Sequence, residues 1–120
     1  MMINRIMIPL YKNEVAPRFD LATEVMVAIV STGNKLEEQK IIVLPRSSPE
    51  DLCHQMLSEN INTLICGAIE DEYYQFLKWK KLSVFYNVSG KWEHAFKKLL
   101  NNSLKNGDLL SKRIVEGKNV

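Results

Sequence analysis

The sequence predicts one α/β domain built on a single mixed sheet. Two patterns lead there. Five short apolar runs, each bounded by turn residues, read as buried strands. From residue 47 onward, strands alternate with helical spacing, which calls for βαβ crossovers and parallel pairing. Size agrees, because 120 residues suit one domain and are too few for two ordinary ones.

Arg5-Ile6-Met7-Ile8-Pro9-Leu10 reads as the first strand, buried on both faces, with Pro9 marking its end near residue 9 or 10. Residues 11–23 are polar and irregular. Val25–Val30 is the second strand. Thr32-Gly33-Asn34 is a turn signal, so Gln39–Leu44 reads as a third strand in hairpin with the second. Ser48 is a suitable N-cap, Pro49 suits the first helical position, and Asp51 completes a contact like a capping box. Leu52, Cys53, Met56 and Leu57 follow at helical spacing, and Asn60 can close this first helix. Thr63–Cys66 is a fourth strand ending at Gly67. Glu70-Asp71-Glu72 opens a second helix, with three acids at the positive end of its dipole. Tyr73, Phe76 and Leu77 supply its apolar side, and Tyr74 and Trp79 are assigned to the same packing against the sheet. Leu82–Tyr86 is a fifth strand. Ser89-Gly90 precedes a third helix with Trp92, Ala95, Phe96, Leu99 and Leu100 on one stripe. Residues 106–120 read as a polar, loose tail following a domain over residues 1–105, although Arg113-Ile114-Val115 could add a small strand.

The element order is β-β-β-α-β-α-β-α. A meander of three strands followed by right-handed crossovers fits one mixed five-stranded sheet in the order 3-2-1-4-5, with helices on its faces. That is a ribonuclease H-like arrangement.

Composition narrows the function. Hydrophobic residues make up 46% and charged residues 25%, the balance of a soluble globular chain. Sixteen basic residues against fourteen acidic ones lack the excess expected of a nucleic-acid binder. The basic residues favour the end of the chain: residues 91–120 hold seven Lys/Arg and three Asp/Glu. The longest apolar run, Val25–Val30, is far short of the ~20 residues of a membrane helix. The first residues lack the apolar core and small-residue cleavage site of a signal peptide, so a reducing cytoplasm and free thiols are the expectation. Cys53 and Cys66 form no CxxC or zinc run. Metal-dependent nuclease chemistry needs carboxylates on or beside the first and fourth strands, and those strands carry none. Nucleophile-elbow, phosphate-loop and dinucleotide glycine patterns are missing as well. An enzyme is therefore not expected.

Three blocks carry a resemblance to a known family. The first is Ala16-Pro17-Arg18-Phe19-Asp20-Leu21-Ala22, directly after the first strand. The second is Ile61–Ile69, a strand that runs into Gly67. The third is Leu82–Tyr86 followed by a glycine and the last helix. Over about residues 5–104 the chain resembles the dinitrogenase iron–molybdenum cofactor biosynthesis domain of NifX, NafY and the C-terminal part of NifB. The resemblance implies a non-catalytic carrier of iron–molybdenum cofactor or an iron–sulfur precursor cluster, working with cofactor-assembly proteins of nitrogen fixation. It implies no nucleic acid and no membrane as partner, and it leaves room for a homodimer.

A cluster site needs a soft ligand together with positive groups or N–H donors for the cluster anions. Cys66 ends the fourth strand beside the first, where chain direction changes and ligand crevices form. Arg18 leaves the first strand at the same end. Cys66, Arg18 and Gly67 are thus the candidate cofactor-binding residues, with Cys66 as metal ligand. The bland alternatives are a core role for Cys66 and an Arg18–Asp20 ion pair. Cys53 belongs to the helix stripe, while His54 and His94 should face solvent. Ser47–Asp51 stands where the family carries a glycine-rich helix start, and Glu70–Glu72 where it carries glycine and small residues. Those departures favour an alternative: an interaction or regulatory module that kept the fold and lost the cluster.

Overall fold

A computed structural model of the chain describes residues 3–110. It is an α/β domain with a mixed sheet, as the pattern predicts. The strands are β1 (Asn4–Tyr11), β2 (Glu14–Val15), β3 (Glu24–Ser31), β4 (Lys35–Val43), β5 (Thr63–Ile65) and β6 (Ser83–Phe85). The helices are α1 (Pro49–Ser58), α2 (Asp71–Trp79) and α3 (Trp92–Leu100), and a single 3-10 turn covers Phe19–Leu21. The sheet order is β4-β3-β1-β5-β6, with β2 paired to β1. Without the two-residue β2, this is the expected 3-2-1-4-5 order. β3 is antiparallel to β1 and β4, whereas β5 runs parallel to both β1 and β6.

Alternation along the central strands divides the core in two. Met7, Val25, Val27, Leu64 and Cys66 face the side covered by α1 and α2, with Leu52, Met56 and Leu77 packed over them. Ile6, Ile8, Met26, Ala28 and Ile65 face the side covered by α3, against Ala95 and the half-buried Trp92, Phe96 and Leu99. Burial on both faces explains why β1 and β3 read as nearly continuous apolar runs.

Pro9 does not end β1, which continues to Tyr11. The Pro9 carbonyl accepts from Ala16 N at 2.8 Å on the side away from β3. In an antiparallel pair the N–H and C=O of one residue point the same way, so the missing N–H removes no bond to β3. The strand then turns back at Lys12, whose φ is 58°.

The helix ends follow local chemistry. Ser48 caps α1 by accepting from Asp51 N at 3.2 Å, with Pro49 at the first position. All three helices close with a left-handed residue, Asn60, Lys81 and Asn102, at φ 59°, 73° and 60°. In each case the next residue's N–H reaches back to a carbonyl in the last turn: Ile61 to Met56, Leu82 to Leu77, and Ser103 to Lys98.

Several expectations need correction. β4 begins at Lys35, four residues before the expected start at Gln39, because the tight turn at Gly33-Asn34 lets the polar residues pair as well. Leu57 is 39% exposed and Trp79 71% exposed, so neither joins the core stripe. At the last turn of α2, Trp79 packs beside Phe76 and Lys80 instead. Residues 106–110 are held rather than loose. Gly107 N donates to Tyr86 O at 2.9 Å, and Leu110 N donates to Ser89 O at 2.8 Å. Arg113-Ile114-Val115 lies outside the described residues.

Candidate functional site

The loop from Tyr11 to Thr23 folds over the carboxyl end of β1. Its anchor is a short parallel contact with the segment that leaves β5. Ala68 N donates to Pro17 O and Phe19 N donates to Ala68 O, both at 2.8 Å. The strand-end convergence expected of Arg18 and Gly67 is therefore present in the backbone. Gly67 has a steric reason to be glycine. A Cβ there would meet Ala16 O and Pro17 O at 2.4 Å.

Under this loop, a crevice of about 310 Å³ opens between Leu10, Tyr11, Ala16–Arg18 and Leu21–Thr23. Among the described residues, Arg18 is the one charged side chain in its lining. The guanidinium makes a two-pronged bond to Asp20, from Nε at 3.0 Å and Nη2 at 2.7 Å. Asp20, with Glu70 contributing less, pushes the Arg18 pKa up. An anion entering the crevice would compete with Asp20 for this group. Tyr11 and Leu21 remain more than half exposed on the rim, at 59% and 57%.

Arg18 and Cys66 do not present their side chains together, and Gly67 has none. Cys66 is fully buried in the core cluster that includes Phe19, Met7 and Leu64, and it does not line the crevice. Burial pushes its thiol up to about 12. Both cysteines are free. Cys53 is buried on the inner face of α1, and burial, with Glu50 adding to it, raises its thiol to about 11. His54 and His94 are exposed, as helical geometry predicts. Among the described residues, no group of three or more His, Cys, Asp and Glu side chains is placed to hold a metal ion. No helix there is long and apolar enough to cross a membrane.

One contact had no sequence signal. Tyr73 on α2 donates its hydroxyl to Glu50 on α1 at 2.7 Å. This bond draws Glu50 below the usual carboxylate range and, with Glu50's charge, lifts Tyr73 to about 12. Cys53, His54 and Phe76 share a cleft of about 370 Å³ with this pair. Twenty-three residues separate the partners. Only the sheet order, which seats α1 and α2 on one face, brings them together.

No protein-family model and no curated protein sequence matches the chain. Solved structures do resemble it. The protein PH0822 superposes with a TM-score of 0.74 at 16% identity, covering 85% of this chain and 94% of that one. A candidate dinitrogenase from Methanocaldococcus jannaschii gives a TM-score of 0.72 at 17% identity, covering 88% and 95%. A candidate NifB protein from Thermotoga, assigned to the DUF35 family, gives 0.64 at 15%, covering 91% and 98%. At these identities the likeness is one of fold. It spans nearly the whole of each neighbour.

Proposed function

We propose that this chain is a non-catalytic accessory protein that carries a small anionic metal cluster, of the iron–sulfur or iron–molybdenum class, as cargo in the cytoplasm. The observation behind this reading is the apolar crevice at the carboxyl end of β1, with Arg18 as its charged lining residue. Such a crevice suits a compact anion with little exposed polarity. The fold shared with a candidate dinitrogenase and a candidate NifB protein makes nitrogenase-type clusters the first ligands to try.

In this reading Arg18 exchanges Asp20 for the cluster. Cys66 is the thiol within reach of the same strand ends. For it to bind, the loop at residues 16–22 lifts and the thiol gives up its proton to metal coordination, which makes uptake favour higher pH. Gly67 keeps the backbone beside Cys66 free of a side chain. Donor or acceptor proteins of cluster assembly would be its partners.

Anaerobic titration with an iron–sulfur cluster donor tests this, read by visible absorption and bound iron. The wild type is expected to take up cluster stoichiometrically. Arg18→Ala and Cys66→Ala should each weaken uptake on the order of tenfold or more, and Cys53→Ala should leave it unchanged. Equal uptake by the first two variants would remove the site assignment. A wild type that takes up nothing would remove the carrier reading.

The second reading is an interaction module that has kept the fold without the cluster. It is favoured by the buried Cys66 thiol, the Asp20 carboxylate already on Arg18, and the exposed acids Glu70, Asp71 and Glu72. Purification without iron, together with a stoichiometric partner protein that binds the acidic start of α2, would support it.

A further inference from the structure

β4 is an open edge. It pairs with β3 on one side only, over nine residues. The opposite edge is only three residues long. Just past its end, Tyr86 is held by the segment at residues 106–107: Tyr86 N donates to Asn106 Oδ1 and Gly107 N donates to Tyr86 O. β4 also carries three of the chain's exposed large aliphatic residues: Leu36 at 46%, Ile41 at 50% and Val43 at 68%. A long, half-apolar edge is a template for another strand.

We propose that two copies of this chain pair antiparallel through β4, about a two-fold axis at Gln39, forming one continuous sheet. The register follows from self-complementarity. An isologous pair centred on Gln39 sets Glu38 opposite Lys40 of the second copy, and by symmetry Lys40 opposite Glu38. The bulge decides what comes next. Ile29 pairs with Glu38 but Val30 pairs with Leu36, so Glu37 is the extra residue on β4. Leu36 therefore shares a face with Ile41, which sits opposite Met26. Skipping Glu37 sets Leu36 of one copy against Ile41 of the other. Both opposite-charge pairs then lie on one face and both apolar pairs on the other. A centre one residue on, at Lys40, would instead set lysine against lysine.

Within one copy, Lys40 also reaches Glu59 at 3.2 Å and Glu38 at 3.9 Å. Its ammonium is therefore already held over this face, beside the edge. The shared surface is a single strand edge, at the small end of specific interfaces. Association in the range of about 10–100 μM is expected.

Sedimentation equilibrium across a concentration series tests this, with three samples beside the wild type. Glu38→Lys places an ammonium opposite Lys40 of the second copy. Lys40→Glu places a carboxylate opposite Glu38 of the second copy. Each should weaken self-association on the order of tenfold or more, because both symmetry-related pairs become repulsive. An equimolar mixture of the two variants should dimerise again, since one chain then presents two lysines to two glutamates. Both substitutions are on exposed side chains, and far-UV circular dichroism reports their fold. Independently, wild-type amide exchange should slow in β4 as concentration rises, and not in β6. A wild type that stays monomeric to about 1 mM would overturn the proposal. So would a dimer indifferent to both charge reversals, or a mixture that stays monomeric.

Discussion

Replacing Gly67 with alanine should be among the most damaging small changes available to this chain. The new Cβ would lie 2.4 Å from Ala16 O and Pro17 O and 2.7 Å from Pro17 C. All three are backbone atoms, so no rotamer change relieves the clash. Opening the closest contacts from 2.4 to the 3.0 Å limit requires a shift of about 0.6 Å. The same shift would stretch the two 2.8 Å bonds that join Pro17 and Phe19 to Ala68 beyond good hydrogen-bond length. Two such bonds are worth about 0.5–1.5 kcal/mol each, and overpacking strain adds about 1–3 kcal/mol. A loss of about 2–6 kcal/mol follows, a large share of the ~5–15 kcal/mol typical of a domain. Urea unfolding with unchanged slope would measure it. Amide exchange at Phe19 and Ala68 would locate it. A loss below about 1 kcal/mol with both amides still protected would refute the close-approach argument.

Three further outcomes are expected. Lys81→Gly should stabilise the protein by about 0.5–1 kcal/mol in thermal unfolding, because Lys81 closes α2 at φ 73°, where a Cβ is disfavoured. The buried thiols should resist alkylation at pH 8 in the native protein and react at once in urea. Their raised values, about 11 for Cys53 and about 12 for Cys66, mean that the stability from keeping them protonated is complete below about pH 9. It is lost as pH climbs through those values, so unfolding midpoints should fall on the alkaline side. Glu50→Gln should return Tyr73 from about 12 toward 10 in an ultraviolet absorbance titration. Glu50's depressed value gives the opposite pH sense: its contribution is present above about pH 4.5 and fades as pH falls through the lower folded value.

The sheet was legible because its signals are local and strong. β1 and β3 are buried on both faces and read as apolar runs, and Ser48-Pro49 marks the start of α1 without ambiguity. Polar strands were less legible. Lys35–Gln39 is exposed throughout and polar but for Leu36, so its composition carries little trace of a strand. Glu14-Val15 is two residues long and owes its pairing to Leu10 and Tyr11 across a turn. Residues 106–110 are polar too, and what orders them is the loop at residues 86–90, which no local pattern announces. The candidate site divides the same way. Arg18 and Gly67 were found by position at the strand ends. Which way each side chain points was not available from position.

That division bears on the chemistry. Cys66 continues the alternation of β5, in which Leu64 faces α1 and α2 and Ile65 faces α3. Cys66 must therefore face α1 and α2, with Phe19 in the same cluster. The crevice is separate from that cluster: Arg18 and Leu21 line it, and Phe19 and Cys66 do not. Arg18 and Phe19 are neighbours in sequence, yet one faces the crevice and the other helps to close the core over Cys66. The loop at residues 16–22 thus separates the charged group of the crevice from the thiol at the strand ends. A ligand that used both would have to unseat Phe19, which is 1% exposed, and break its bond to Ala68. Burying such a ring is worth about 1.5–3 kcal/mol. A tightly coordinated metal could offset that cost, and a weakly held organic anion could not. Cluster uptake should accordingly expose Phe19 and deprotect its amide, whereas an anion held by Arg18 alone should leave both unchanged.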